Sequence, residues 1–194
     1  MNRTALLLIL SIFFFSCKSP EARKPVSQKS GSYIDAAVER NKKVVAAEEK
    51  TIAEIIEKDQ ENEYITSTHG FWYYYHNRDT SATEKPEFGD LVTFSYNIRN
   101  LDGSVIYSTE ELSPRTYKMD QEELFKGLRE GLKLMHVGET VTFLFPSHKA
   151  FGFYGDRNRI GNNVPIMSTV TLEEIIPRSD DNNNQNQNNS DEKN

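Results

Sequence analysis

The chain is short of cysteine, of excess positive charge, and of the spaced histidines and glycines that mark common catalytic motifs. Of 194 residues only Cys17 is a cysteine, so no disulfide can form within the chain. The formal net charge is −6. Binders of nucleic acid need clustered Lys and Arg to displace counterions, so no nucleic-acid partner is expected. The four histidines, His69, His76, His136 and His148, stand in no HExxH-like spacing and pair with no cysteine, so no metal site is expected. No G-x-S-x-G elbow, P-loop or dinucleotide fingerprint occurs, and no cofactor is expected. Glu122, Glu123 and Glu130 read as a solvated helical face. Acid–base and nucleophilic catalysis are therefore unsupported. Apolar residues make up 37% of the chain, low for a compact domain of this length, so part of it lies outside any core.

What is present begins with an apolar run, Ala5 to Phe15, after the basic start Met1–Arg3. It is too short for a spanning helix of ~20 residues but fits a secretory signal. Ser16 is small and Cys17 follows it. This resembles the bacterial lipoprotein signal, in which the cysteine becomes the mature N-terminus and carries acyl chains. Phe14 and Phe15 stand where leucine and a small residue are usual, and an ordinary signal peptide with an incidental cysteine is the plainer alternative. Residues 1–16 are read as a lipoprotein signal peptide and Cys17 as the lipidation position. The lipid would hold the protein at the cell envelope with no spanning segment. No acidic residue directly follows Cys17, which points to the periplasmic side. Residues 17–32, with Pro20, Pro25 and Gly31, read as a flexible tether.

Residues 33–63 read as a long helix. Tyr33 to Asn62 contains no Gly or Pro, and Ser32 is placed to cap it. Ile34, Val38, Val45, Ile52, Ile55 and Ile56 form an interrupted apolar stripe, while Glu48, Glu49, Glu54 and Glu57 lie at pairing distance from Lys residues. The helix either docks on its own domain, serves as a spacer, or joins two copies as a homodimer.

Residues 64–85 read as an aromatic strand, Ile65 to Tyr75, and a polar loop from His76 onward. Leu91 to Ile98 alternates, with Val92, Phe94, Tyr96 and Ile98 on one face. Asn100–Gly103, NLDG, is a hairpin turn signal, and Val105 to Thr109 is the partner strand. Tyr117 to Met119 is a short strand. Leu124, Leu128, Leu132 and Met135 fall on one helical stripe with Phe125 beside it. Gly138 marks a turn before the strand Val141–Phe145, which Pro146 ends. Phe153–Asn163 is a loop. Val164–Ile176 alternates, with Val170, Leu172 and Ile175 inward, and Pro177 closes it. Residues 178–194 are mostly Asn, Asp, Gln and Ser, a composition expected to stay disordered. The architecture expected is α+β: an antiparallel sheet with one short helix across it, preceded by the long helix.

Within residues 86–177, the run GDLVTFSYNIRNLDGSVIYST, the helix region LFKGLREGLKLMHVGE, the strand VTFLFPSHKAFG and the closing VPIMSTVTLEEI together resemble the FKBP-type peptidyl-prolyl cis–trans isomerases. The resemblance covers about half the chain. With the lipoprotein signal before it, the arrangement is most similar to the gliding-motility-associated isomerase lipoproteins of the Bacteroidota. It implies an antiparallel sheet wrapped around a short helix, and catalysis of rotation about the bond preceding proline in exported client proteins. That rotation faces ~18–20 kcal/mol and needs no nucleophile or proton transfer. A dry apolar pocket disfavours the charge-separated amide resonance form and holds the proline ring while the chain twists.

The resemblance also implies the site. Tyr96, Phe125 and Phe151 take the catalytic positions. Ile106, Tyr107, Leu124, Leu128, Val164 and Leu172 take the substrate-binding ones. Leu124 and Phe125 precede the helix, and Leu128 takes the pocket floor. Four positions depart from the family: Tyr107 replaces an aspartate, Leu128 a tryptophan, Phe151 a tyrosine whose hydroxyl bonds the substrate carbonyl, and Leu172 an aromatic. These departures leave a second reading open, a non-catalytic FKBP-like module that binds a partner in an envelope motility or secretion machine.

Overall fold

The computed structural model describes residues 30–112 and 114–179. The expected signal peptide, Cys17 and the Asn-rich tail beyond residue 179 lie outside the described residues. The fold is α+β. One long helix, α1 (Ser30–Lys58), precedes an antiparallel sheet. The strands are β1 (Ile65–Thr66), β2 (Trp72–Asn77), β3 (Leu91–Tyr96), β4 (Ile98–Asn100), β5 (Val105–Tyr107), β6 (Arg115–Lys118), β7 (Thr140–Phe145) and β8 (Ile166–Ile176). A helical turn, α2 (Thr109–Leu112), and a short helix, α3 (Lys126–Leu132), lie between them. The sheet order is β1-β2-β7-β8-β3-β6, with the β4–β5 hairpin joined through β8. Among the described residues no helix is long and apolar enough to cross a membrane.

Helix α1 starts at Ser30, so Ser32 lies in its first turn rather than capping it, and the expected tether is helical from residue 30. The helix ends at Lys58, short of the expected Asn62. Asp59 stops it: its carboxylate accepts from the Glu61 amide, the Asn62 side chain and the Tyr64 hydroxyl. Such side-chain bonds offer the backbone an alternative to the helix. The chain divides into two units, Met1–Glu39 and Arg40–Asn194. In the first, Tyr33, Ile34 and Val38 are exposed on the helix. In the second, Ile52 is fully buried.

The aromatic run is a hairpin rather than one strand. Ser67 and Gly70 turn the chain, with the Gly70 amide bonded to the Ser67 carbonyl and Gly70 at φ +78°. Strand β2 then extends through His76 and Asn77 and pairs with β7, Tyr73 opposite Phe143, so the sheet begins well before residue 86. The NLDG turn forms as expected, with Gly103 at φ +87°. Its partner strand stops at Tyr107, because Thr109 opens α2, where the Glu111 carboxylate accepts from the Ser108 amide.

Leu172 and Ile175 both turn inward because β8 carries a bulge. Thr93 faces Glu174 while Phe94 faces Leu172, so Glu173 is the extra residue and the side-chain alternation resets there. The core gathers Val92, Phe94, Tyr117, Val141, Phe143, Phe145, Val170 and Leu172 from the sheet beneath Leu128, Leu132 and Met135. On the opposite face Thr140 bonds Thr171 at 3.0 Å, and Thr142 bonds Thr169 at 2.7 Å.

Helix α3 has only seven residues and cannot be stable alone. It lies close on β7 because Gly127 and Gly131 face the aromatic rings. A Cβ at Gly127 would sit 2.5 Å from the Phe145 ring and 2.8 Å from the Lys149 carbonyl; one at Gly131 would sit 3.0 Å from the Phe143 ring. Gly127→Ala is therefore expected to destabilise the domain by about 1–3 kcal/mol, measured by urea unfolding, although alanine is the better helix former.

Candidate active site

A concave site of about 750 Å³ opens at the N-terminal end of α3. Its apolar side is made by Leu124 and Phe125, just before the helix, and by Phe151, which follows β7 and a 3₁₀ turn, Ser147–Lys149. The Phe125 ring lies 5.1 Å from that of Phe151 and 5.4 Å from that of Phe145, edge-on to the latter. The Phe125 carbonyl accepts the first helical amides, those of Leu128 and Arg129, which fixes its backbone. Ile98 and Leu112 extend the apolar wall.

The polar side starts from Tyr96 at the end of β3, whose side chain is almost wholly buried. Arg115, at the start of β6, directs Nη1 toward the Tyr96 hydroxyl at 3.5 Å and donates from Nη2 to the Glu123 carbonyl at 2.7 Å. Tyr107 donates its hydroxyl to Asp156 and accepts from the Asn158 amide group at 3.0 Å. Asp156 also accepts from the backbone amides of Asn158 and Ile160, each at 2.8 Å. The Arg159 guanidinium lies over the Tyr107 ring at 4.7 Å. A tight loop is thereby pinned against β5. Gly155, at φ +63°, is required in it, since a Cβ there would meet the Ile160 carbonyl at 2.1 Å.

Burial, and then the bond and charge of Asp156, push the Tyr107 phenol above its usual range. Burial works to raise Asp156 as well. The hydrogen bonds from Tyr107, Asn158 and Ile160 outweigh it and hold the carboxyl below the ordinary carboxylate range. Among the described residues no His, Cys or Lys lines the site. Its shape and lining suit an apolar ring beside cationic and hydroxyl donors for a carbonyl.

The sequence model for FKBP-type peptidyl-prolyl cis-trans isomerases matches residues 82–173. Over those residues the chain is similar to the FKBP-type isomerases. Two relatives of known sequence fall in the same region. A probable FKBP-type isomerase, FkpA, of Neisseria meningitidis is 32% identical over 93 residues, 47% of this chain and 34% of that protein. The outer membrane protein MIP of Legionella longbeachae is 32% identical over 95 residues, 48% of this chain and 40% of that protein. The chain thus spans well under half the length of the curated relatives it matches. The crystal structure of FkpA from Escherichia coli superposes with a TM-score of 0.56 at 21% identity, covering 91% of this chain and 83% of that one, which shows the shared fold.

Within the matched region, five of the nine pocket positions taken from the resemblance meet at one site: Tyr96, Tyr107, Leu124, Phe125 and Phe151. The other four do not line it. Leu128 and Leu172 have no exposed surface and belong to the core, so Leu128 forms no open floor. Ile106 packs against the core and gives its carbonyl to Arg159. Val164 lines a separate shallow groove with Thr51, Ile55 and Leu101. Arg115 and Asp156 are pocket residues that the sequence reading did not name. The signal available for Asp156 was the run Gly155-Asp156-Arg157-Asn158, a turn former after an aromatic pair.

The depressed Asp156 pKa has a defined sign. Its contribution to stability is complete above the unfolded-state value, ~3.9, and is lost as pH falls through the lower folded-state value. Asp156→Asn is expected to lower stability near neutrality and to flatten the acid limb below about pH 4, measured by urea unfolding at stepped pH.

Proposed function

We propose that the chain is a peptidyl-prolyl cis–trans isomerase held at the cell envelope by a lipid on Cys17. There it speeds the folding of exported proteins, including components of a gliding-motility or secretion machine. The observation that carries the catalytic part is the convergence of Tyr96, Leu124, Phe125 and Phe151 on one apolar pocket of an FKBP-type domain. The envelope location is supported by the Ser16–Cys17 pattern after an apolar run and by the outer membrane protein among the relatives. Tyr33, Ile34 and Val38, exposed on α1, supply a surface for pairing two copies through that helix.

The proline ring packs against the adjoining rings of Phe125 and Phe151, and the carbonyl preceding it turns toward the Tyr96 hydroxyl and Arg115. Removing water from the amide disfavours its charge-separated form, the form that resists rotation. Donors aimed at the carbonyl of the twisted state act only there, and only such differential contacts raise the rate. A protease-coupled assay with Xaa-Pro peptides tests this. The wild type is expected to exceed the uncatalysed rate, and Phe125→Ala to lose roughly ten- to hundredfold in kcat/KM, the worth of one buried aromatic contact. Phe151→Tyr, which adds a hydroxyl donor, is expected to gain roughly fivefold, about one hydrogen bond.

One observation favours the second reading, a non-catalytic binding module. The Tyr107 hydroxyl is engaged by Asp156 and Phe151 has none, so the pocket offers few donors. Wild-type protein that binds Xaa-Pro peptides without accelerating their isomerisation would decide for it.

Anchoring is tested by cell fractionation. Cys17→Ser is expected to move the protein from the membrane to the soluble fraction. Retention in the membrane would contradict a lipid at Cys17.

A further inference from the structure

Glu48 stands out among the acidic residues of α1. It is 7% exposed, whereas the neighbouring Glu49 and Glu54 face solvent, and Glu54 makes the expected surface pair with Lys50 at 3.9 Å. Rather than a Lys, Glu48 meets Ser147. One carboxylate oxygen accepts from the Ser147 amide at 2.8 Å, and the other from the Ser147 hydroxyl at 2.7 Å. Ser147 is itself 2% exposed. A buried carboxylate is costly unless hydrogen-bonded, and both oxygens here are engaged. Ile52, one turn further along α1, is fully buried on the same helical face.

Ser147 opens the turn that leads from β7 to the pocket. The Lys149 amide bonds the Pro146 carbonyl, the Ala150 amide bonds the Ser147 carbonyl, and Phe151 follows at once. From the other side Gly127 of α3 lies so close to the Lys149 carbonyl that a Cβ would stand 2.8 Å from it. The turn carrying Phe151 is therefore gripped between α1 and α3. We infer that Glu48 is a positioning residue of the pocket: through Ser147 and the 147–149 turn it sets the ring of Phe151 against Phe125, so that residues 40–58 of α1 brace the pocket without lining it. The inference rests on the isomerase reading only for its catalytic consequence.

The experiment uses the chain with α1 intact, in Glu48→Ala, Glu48→Gln and Ser147→Ala forms. Two quantities are followed: the Phe125–Phe151 ring contact by nuclear Overhauser effect, and KM and kcat on an Xaa-Pro peptide. In Glu48→Ala the ring contact is expected to weaken and kcat/KM to fall roughly ten- to hundredfold, as for a misplaced pocket group. The larger change is expected in KM. Glu48→Gln keeps an acceptor for the Ser147 amide and is expected to recover most of the loss. Ser147→Ala, which keeps the amide bond, is expected to show a smaller change in the same direction, and it decides the matter if Glu48→Ala does not fold. Folded variants with the wild-type ring contact and wild-type KM would overturn the inference. A wild type without isomerase activity would sink the catalytic reading alone, because the ring contact still reports whether Glu48 positions Phe151.

Discussion

Close contact between a seven-residue helix and two phenylalanines is the constraint on which the rest of this structure depends. Gly127 and Gly131 let α3 lie directly on the Phe145 and Phe143 rings, and Leu128, Leu132 and Met135 then fill the core above the sheet. Because α3 sits that close, Leu124 and Phe125 at its start are brought beside Phe151 at the far end of the β7 connection. Aromatic contacts continue from Phe71 through Phe145 to Phe125 and Phe151, each pair of rings 5.1–5.4 Å apart. Core and pocket are thus one packed body, and a change of volume in either is felt in the other.

The pocket's chemistry follows from that packing. Its apolar wall has the character an aliphatic ring would need, and its polar side is built from groups already engaged with one another: Arg115 with Tyr96 and Glu123, Tyr107 with Asp156. Such pre-set groups need no rearrangement when a carbonyl twists toward them. Rotation about an amide requires no nucleophile, which is consistent with a lining that holds no histidine or cysteine among the described residues.

Local pattern made the domain's main parts legible. The NLDG turn, the stripe Leu128–Leu132–Met135 and the alternation in β7 each depend on residues close in sequence. The parts that were not legible depend on distant partners. Ile65 to Tyr75 has strand composition throughout, yet Ser67 and Gly70 divide it, and its pairing with β7 lies some seventy residues away. Glu48 has the sequence context of a surface ion pair, and only the structure shows its buried hydrogen bonds to Ser147, 99 residues on. Leu128 and Leu172 occupy positions that hold aromatics in the family. With smaller side chains here they stay within the core, and no surface of either reaches the pocket.

The central claim is that Phe125 and Phe151 together hold a proline ring. Intermolecular nuclear Overhauser effects between the protein and a short Xaa-Pro peptide test it most directly. Contacts are expected from the proline ring protons to both the Phe125 and Phe151 rings. Contacts confined to the groove beside Val164 and Leu101, or absent from both rings at saturating peptide, would contradict it.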